Sequence, residues 1–151
     1  MFKEVVKKYY LKEIINLNNS NALWREELLQ RISSLRELIK KHFKWDGEIA
    51  LLPNLYYANK LLEHNKVKAI HLNSIQEVAK EASFFTFVPR AGVAILGYKG
   101  DLEPLYIGAN SISSLGRESY TIRKDYRSFE CGTQNYPLLF ILEKYFSSLN
   151  E

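Results

Sequence analysis

The apolar positions of the chain follow a helical spacing at both ends and a strand-like one between. Phe2, Val5, Val6, Tyr9, Tyr10, Ile14 and Leu17 recur at steps of three and four, which predicts an amphipathic helix over Phe2–Leu17. Lys3, Lys7, Lys8 and Lys12 lie off that stripe, and Asn18-Asn19-Ser20-Asn21 breaks it with turn and capping residues. A second stripe (Leu28, Ile32, Leu35, Ile39 and Phe43, supported by Trp24 and Leu38) predicts a helix from about Ala22 to Phe43, stopped by Asp46-Gly47. Two helices joined by so short a loop tend to pack as an antiparallel hairpin. Pro53 suits the first position of a third helix, with Leu55, Ala58, Leu61 and Leu62 on its buried face and its end near Asn65.

Strand signals follow. Val67 to Leu72 alternates as a short strand does, and the capping-box spacing of Ser74 and Glu77 predicts a short helix over Ser74–Ala82. β-rich runs lie at Phe84–Val88, Val93–Tyr98 and Leu105–Ile107, with residues 99–103 as a hairpin loop between the last two. Ser119–Ile122 and Tyr126–Glu130 fit two more strands. Pro137 then starts a closing helix with Leu138, Leu139, Ile141, Leu142, Tyr145 and Phe146 as its apolar residues. The order predicts an α+β fold of N-terminal helices, a central mostly antiparallel sheet and a C-terminal helix. With 151 residues, no flexible linker and no repeat, one domain over residues 1–151 is expected. The helical hairpin of residues 1–45 is the one candidate for a semi-independent appendage.

Composition narrows the function classes. Hydrophobic residues make up 46% of the chain and charged residues 25%, which argues for an ordered globular protein. Cys131 is the only cysteine, so neither an intrachain disulfide nor a metal site of several thiolates can form within the chain. Lys3, Glu4, Lys7 and Lys8 interrupt any signal-like apolar run, and no stretch approaches the roughly 20 residues of a membrane span, so a cytoplasmic location is expected. The net charge is +4, and residues 1–45 carry ten Lys and Arg against five Asp and Glu. That bias suits nucleic acid, anionic lipid or an acidic protein, and equally describes the solvated face of a helix.

Candidate chemistry is sparse. His42, His64 and His71 have no spacing that places two on one helical face, and no phosphate-binding glycine pattern or G-x-S-x-G elbow occurs. No metal, cofactor or catalytic residue is therefore assigned. The richest segment is Arg117–Arg127. As a strand over Ser119–Arg123 it would put Arg117, Ser119, Thr121 and Arg123 on one face, and Glu118, Tyr120 and Ile122 on the other. With Tyr126 and Arg127 nearby, such a face could hold phosphates and stacked bases, anchor a protein, or be a solvated surface paired with Glu118, Asp125 and Glu130.

Leu52-Pro53-Asn54-Leu55-Tyr56 forms an L-P-x-x-Y element after a helix, followed by Leu61, Leu62 and Asn65, a β-rich segment, and Ser128-Phe129 before the last helix. This order resembles the SUKH superfamily of small α+β proteins, many of them bacterial toxin-immunity proteins. In that family the element opens a helix that ends in an Asn-Gly turn; here Lys66 follows Asn65. Asn59 and Lys60 stand where the family usually has an aromatic residue and a leucine. The resemblance implies an intracellular protein that neutralises a cognate toxin by direct binding, with Pro53 and Tyr56 in structural roles. The expected function is thus non-enzymatic protein binding, with Asp101, Glu103, Arg117, Glu118, Tyr120, Arg123, Tyr126 and Arg127 as partner-binding candidates. Nucleic-acid binding through the N-terminal helices and Arg117–Arg127 is the alternative. A small enzyme with a dispersed site, using a residue such as His71 or Cys131, is the third reading.

Overall fold

The computed structural model describes residues 23–79, 81–89, 93–106, 112–130 and 136–149. The helix expected over Phe2–Leu17 and the thiol of Cys131 lie outside them. Among the described residues, those of 1–42 and 135–151 form one compact unit and those of 43–134 another.

The first unit is helical. Helix α1 runs over Leu23–Phe43 and buries Ile32, Leu35 and Ile39, the stripe its spacing predicts. Helix α3 runs over Tyr136–Leu149 and buries Pro137, Leu139, Phe140, Leu142 and Phe146. (The closing helix's apolar set thus includes Phe140, which lies between the two predicted pairs.) Arg31 joins the two helices by a two-pronged contact with Glu143, Nε to Oε2 at 3.0 Å and a terminal nitrogen to Oε1 at 3.2 Å. Its guanidinium also lies 4.2 Å from the centre of the Phe140 ring, so one side chain supplies a salt bridge and a cation–π contact.

The second unit is built on a four-stranded sheet in the order β1-β4-β3-β2, where β1 is Glu48–Leu52, β2 Ile70–Leu72, β3 Phe84–Phe87 and β4 Ala94–Tyr98. The β1–β4 and β3–β4 pairs are antiparallel and β2–β3 is parallel, so the sheet is mixed but mostly antiparallel. Helix α2, Leu55–His64, connects β1 to the segment before β2. Its Ala58, Leu61 and Leu62 pack with Ala50, Leu52, Ala94, Leu96, Tyr98 and Phe129 into one apolar cluster. On the alternate positions of the sheet, Phe85 meets Phe43 and Trp45 at ring separations of 5.3 and 4.8 Å. A separate hairpin pairs β5, Ile112–Leu115, with β6, Tyr120–Ile122. The α+β class read from the order of elements is the class observed.

Several elements differ from expectation. Strand β1 has Ile49 through Leu52 all buried, so it lacks the alternation by which a half-buried strand is read. Residues 74–79 make a turn and no helix. Glu77 N–H donates to the Ser74 carbonyl at 3.1 Å and the Glu77 carboxylate accepts from Asn73 N–H, while Ser74 Oγ accepts from Gln76 N–H, so a single turn closes without the reciprocal bonds of a capping box. β-branched Ile75 and Val78 and the short span give the helix little to propagate on. Leu105 and Tyr106 form a bend after Pro104 in place of a strand. The strand expected over Tyr126–Glu130 is a 3₁₀ turn at Tyr126–Ser128, set by the Asp125 carboxylate accepting from Arg127 N–H at 2.9 Å.

Candidate functional site

Two concavities of the second unit are lined by described residues, and the predicted site residues distribute unevenly around the first. That cleft, of about 540 Å³, is lined by Tyr98, Asp101, Glu103, Arg123 and Lys124 among others. It brings together Asp101, Glu103 and Arg123 from segments far apart in sequence. Arg117 and Glu118 are exposed in the turn between β5 and β6, outside the cleft lining. Tyr120 lies in β6, and Ser119 and Arg123 flank that strand, so the five-residue strand expected over Ser119–Arg123 is shortened to three residues. Tyr126 packs against the apolar cluster beneath α2, a core role that a Tyr/Arg-rich reading of the segment does not anticipate.

Arg127 is held locally. Its side chain donates to both Asp125 oxygens, with a terminal nitrogen 2.6 Å from Oδ2. These hydrogen bonds hold the Asp125 carboxyl below its ordinary range, against the partial burial that pushes it up. A lowered folded-state value contributes stability above the ordinary carboxylate range, and that stability is lost as pH falls through the lowered value. With side chains 42% and 40% exposed, solvent screening keeps the contribution small.

One side chain fixes the wall of this cleft. Asn65 Nδ2 donates to the Leu61 carbonyl at 2.8 Å and to the Glu103 carbonyl at 2.9 Å, while Asn65 Oδ1 accepts from Glu103 N–H at 2.7 Å. The amide thereby imitates a neighbouring strand, exchanging both hydrogen bonds with the backbone of residue 103, and ties the 101–106 segment to the end of α2. Asn65 is also the C-cap. Val67 N–H donates to the Leu62 carbonyl and Lys66 N–H to the Glu63 carbonyl, at 3.1 and 3.0 Å, which is a Schellman turn with Lys66 at φ 56°.

Of the second concavity's lining, sequence reasoning singles out only His71, in the dispersed-site reading. Ala50, Leu96, Thr86 and His71 form one cross-strand row over the four strands. Helix α2 contacts β1 and β4, covering Ala50 and Leu96. Past the helix, Thr86 and His71 border a groove of about 580 Å³ whose other walls include Leu55, Leu62, Lys66 and Lys68. His71 Nδ1 and the buried Thr86 Oγ1 share a hydrogen bond of 2.9 Å, which fixes the imidazole at the groove's edge. Glu63, on the same wall, has its carboxylate 3.5 Å from Lys60. The alternation of Val67 to Leu72 reads as one strand, directly after Lys66 and including Lys68. The strand begins at Ile70, and the two lysines sit on the connector instead.

Among the described residues no three His, Cys, Asp or Glu side chains gather as a metal would require, and no helix is long and apolar enough to cross a membrane. No family model matches the chain, and no curated protein matches it significantly.

Proposed function

We propose that the protein is a non-enzymatic binding protein that acts inside the cell, most specifically an immunity protein that neutralises a cognate protein toxin by direct contact. The observation that carries this reading is the end of α2. The L-P-x-x-Y element spans the start of α2, with Asn54 as the cap and Leu55 and Tyr56 in its first turn, and the helix closes at Asn65-Lys66 with Lys66 at φ 56°. This is the backbone a glycine takes most easily, so Lys66 holds a position that the glycine of an Asn-Gly turn would also suit. Open concavities and the exposed rings of Tyr56 and Tyr106, 71% and 61% accessible, supply the kind of surface that protein partners use.

The test is capture of partners from the native host by the tagged protein at low and moderate salt, identifying protein and nucleic acid, followed by co-expression of the captured protein. Recovery of one protein near equal stoichiometry, whose expression halts growth unless this chain is present, is the expected result. Recovery of salt-labile nucleic acid in its place, or of a protein that is harmless when expressed alone, would overturn the reading.

A further inference from the structure

The groove beside α2 is bordered by the sheet's own edge. Strand β2 ends the order β1-β4-β3-β2, and among the described residues nothing pairs with its outer main-chain groups. Ile70 on that strand is 51% exposed, an apolar side chain left uncovered on an edge. Lys66 and Lys68 line the groove, and neither forms an ion pair among the described residues. The floor between them is apolar, with Leu55, Leu62 and Val67.

We propose that the groove between α2 and β2 is the partner-binding surface, and that its occupant is an extended acidic segment of the partner protein that adds to the sheet as a strand beside β2. This rests on the protein-binding reading above and names the partner's chemistry. Side chains of an added strand alternate between the two faces of the sheet. Those on the His71 face fall over the groove, where the methylenes of a glutamate cover Leu62 and Val67 and its carboxylate reaches Lys66 and Lys68. Those on the opposite face lie beside Ile70 and are apolar. Main-chain hydrogen bonds to β2 supply affinity, and the two lysines select charge. A free small anion would use the lysines but leave the edge and Ile70 unpaired, so the extended chain accounts for more of the surface. The net positive charge of the chain, unsuited to a basic toxin face, fits an acidic one.

The probe is a fluorescein-labelled peptide of about six residues alternating Glu and Val, a usual strand length, with a Lys/Val peptide as its opposite. Binding of the first to the full chain is measured by fluorescence anisotropy at low salt. The paired substitution Lys66→Gln with Lys68→Gln is expected to weaken it roughly tenfold, while Lys41→Gln with Lys44→Gln, an equal charge change on exposed residues elsewhere, moves it less than about twofold. N-methylation of alternate peptide nitrogens should abolish binding in one phase and spare it in the other, because an added strand uses one edge. The proposal is overturned if the Glu/Val peptide does not bind at millimolar concentration, if Lys/Val binds as well, or if neither N-methyl phase matters. Tighter binding of oligothymidylate at the same two lysines would overturn it in favour of a single-stranded nucleic acid. A toxin that binds the Lys66/Lys68 variant as tightly as the parent removes the groove assignment and leaves the immunity reading standing. A peptide that passes every test while no toxin is captured does the reverse.

Discussion

Lys66 holds a backbone conformation that L-residues other than asparagine and aspartate seldom adopt, at φ 56°, to close α2. Left-handed geometry costs a non-glycine residue roughly 1–2 kcal/mol, and glycine's greater freedom in the unfolded chain returns up to about 1 kcal/mol of that. Lys66→Gly is therefore expected to raise stability by about 0.5–1 kcal/mol in urea unfolding while weakening binding of the Glu/Val peptide. A loss of stability would mean that the lysine side chain contributes more to the fold than the turn costs. The neighbouring Asn65 tests the clamp on the 101–106 segment. Asn65→Asp keeps the shape, removes the donor to two carbonyls and turns a carboxylate towards them, so a loss of about 2 kcal/mol at neutral pH is expected, with residues near Glu103 gaining hydrogen-exchange rate. An unchanged exchange rate there would show that the segment is held by other contacts. Neither role is legible in the sequence. Asn65 reads as a helix end, which it is, but its partner lies 38 positions away and only the fold brings the two together.

At the scale of elements, legibility follows periodicity. The buried positions of α1 are visible because they recur on one face, and those of α2 because Ala58, Leu61 and Leu62 do the same. Strand β1 is not, because burial on both faces erases the alternation, and the helix after Ser74 is overestimated because residues with capping-box spacing close only a single turn there. Strand β4 shows what pairing adds beyond pattern. All five of its residues are buried, and Gly97 stands opposite Phe85 in the β3–β4 register. A Cβ placed on Gly97 would lie 2.0 Å from the Phe85 ring, which is fully buried against Phe43 and Trp45 and has nowhere to swing. Gly97→Ala is thus expected to cost at least about 2 kcal/mol, near the upper part of the range for overpacked cores. The double substitution with Phe85→Leu should recover part of that loss if the ring is the obstacle. Equal instability of the single and double variants would place the strain in the backbone.

For the molecule as a whole, the class of fold was readable from the order of elements, whereas the site depended on connections that order does not give. The predicted site followed the density of Tyr and Arg in one segment. In the fold Tyr126 joins the core and Arg127 pairs with Asp125, which leaves Asp101, Glu103 and Arg123 around one cleft. Charge acts at this same scale, and it separates the two binding readings. An acidic protein partner steered by the chain's positive field should associate roughly tenfold more slowly when ionic strength rises from about 50 mM to about 0.5 M, because the screening length falls from above 10 Å to a few ångströms. Its dissociation rate should change little, since short-range strand and apolar contacts hold the complex. A nucleic acid would behave differently: each phosphate neutralised releases counterions, so the logarithm of affinity falls linearly with the logarithm of salt at a slope of about −0.9 per contact. Stopped-flow association and dissociation of the captured partner across that range therefore decide between them. A salt effect confined to association supports the acidic-protein reading, and an equilibrium slope of several units supports phosphate contacts in its place.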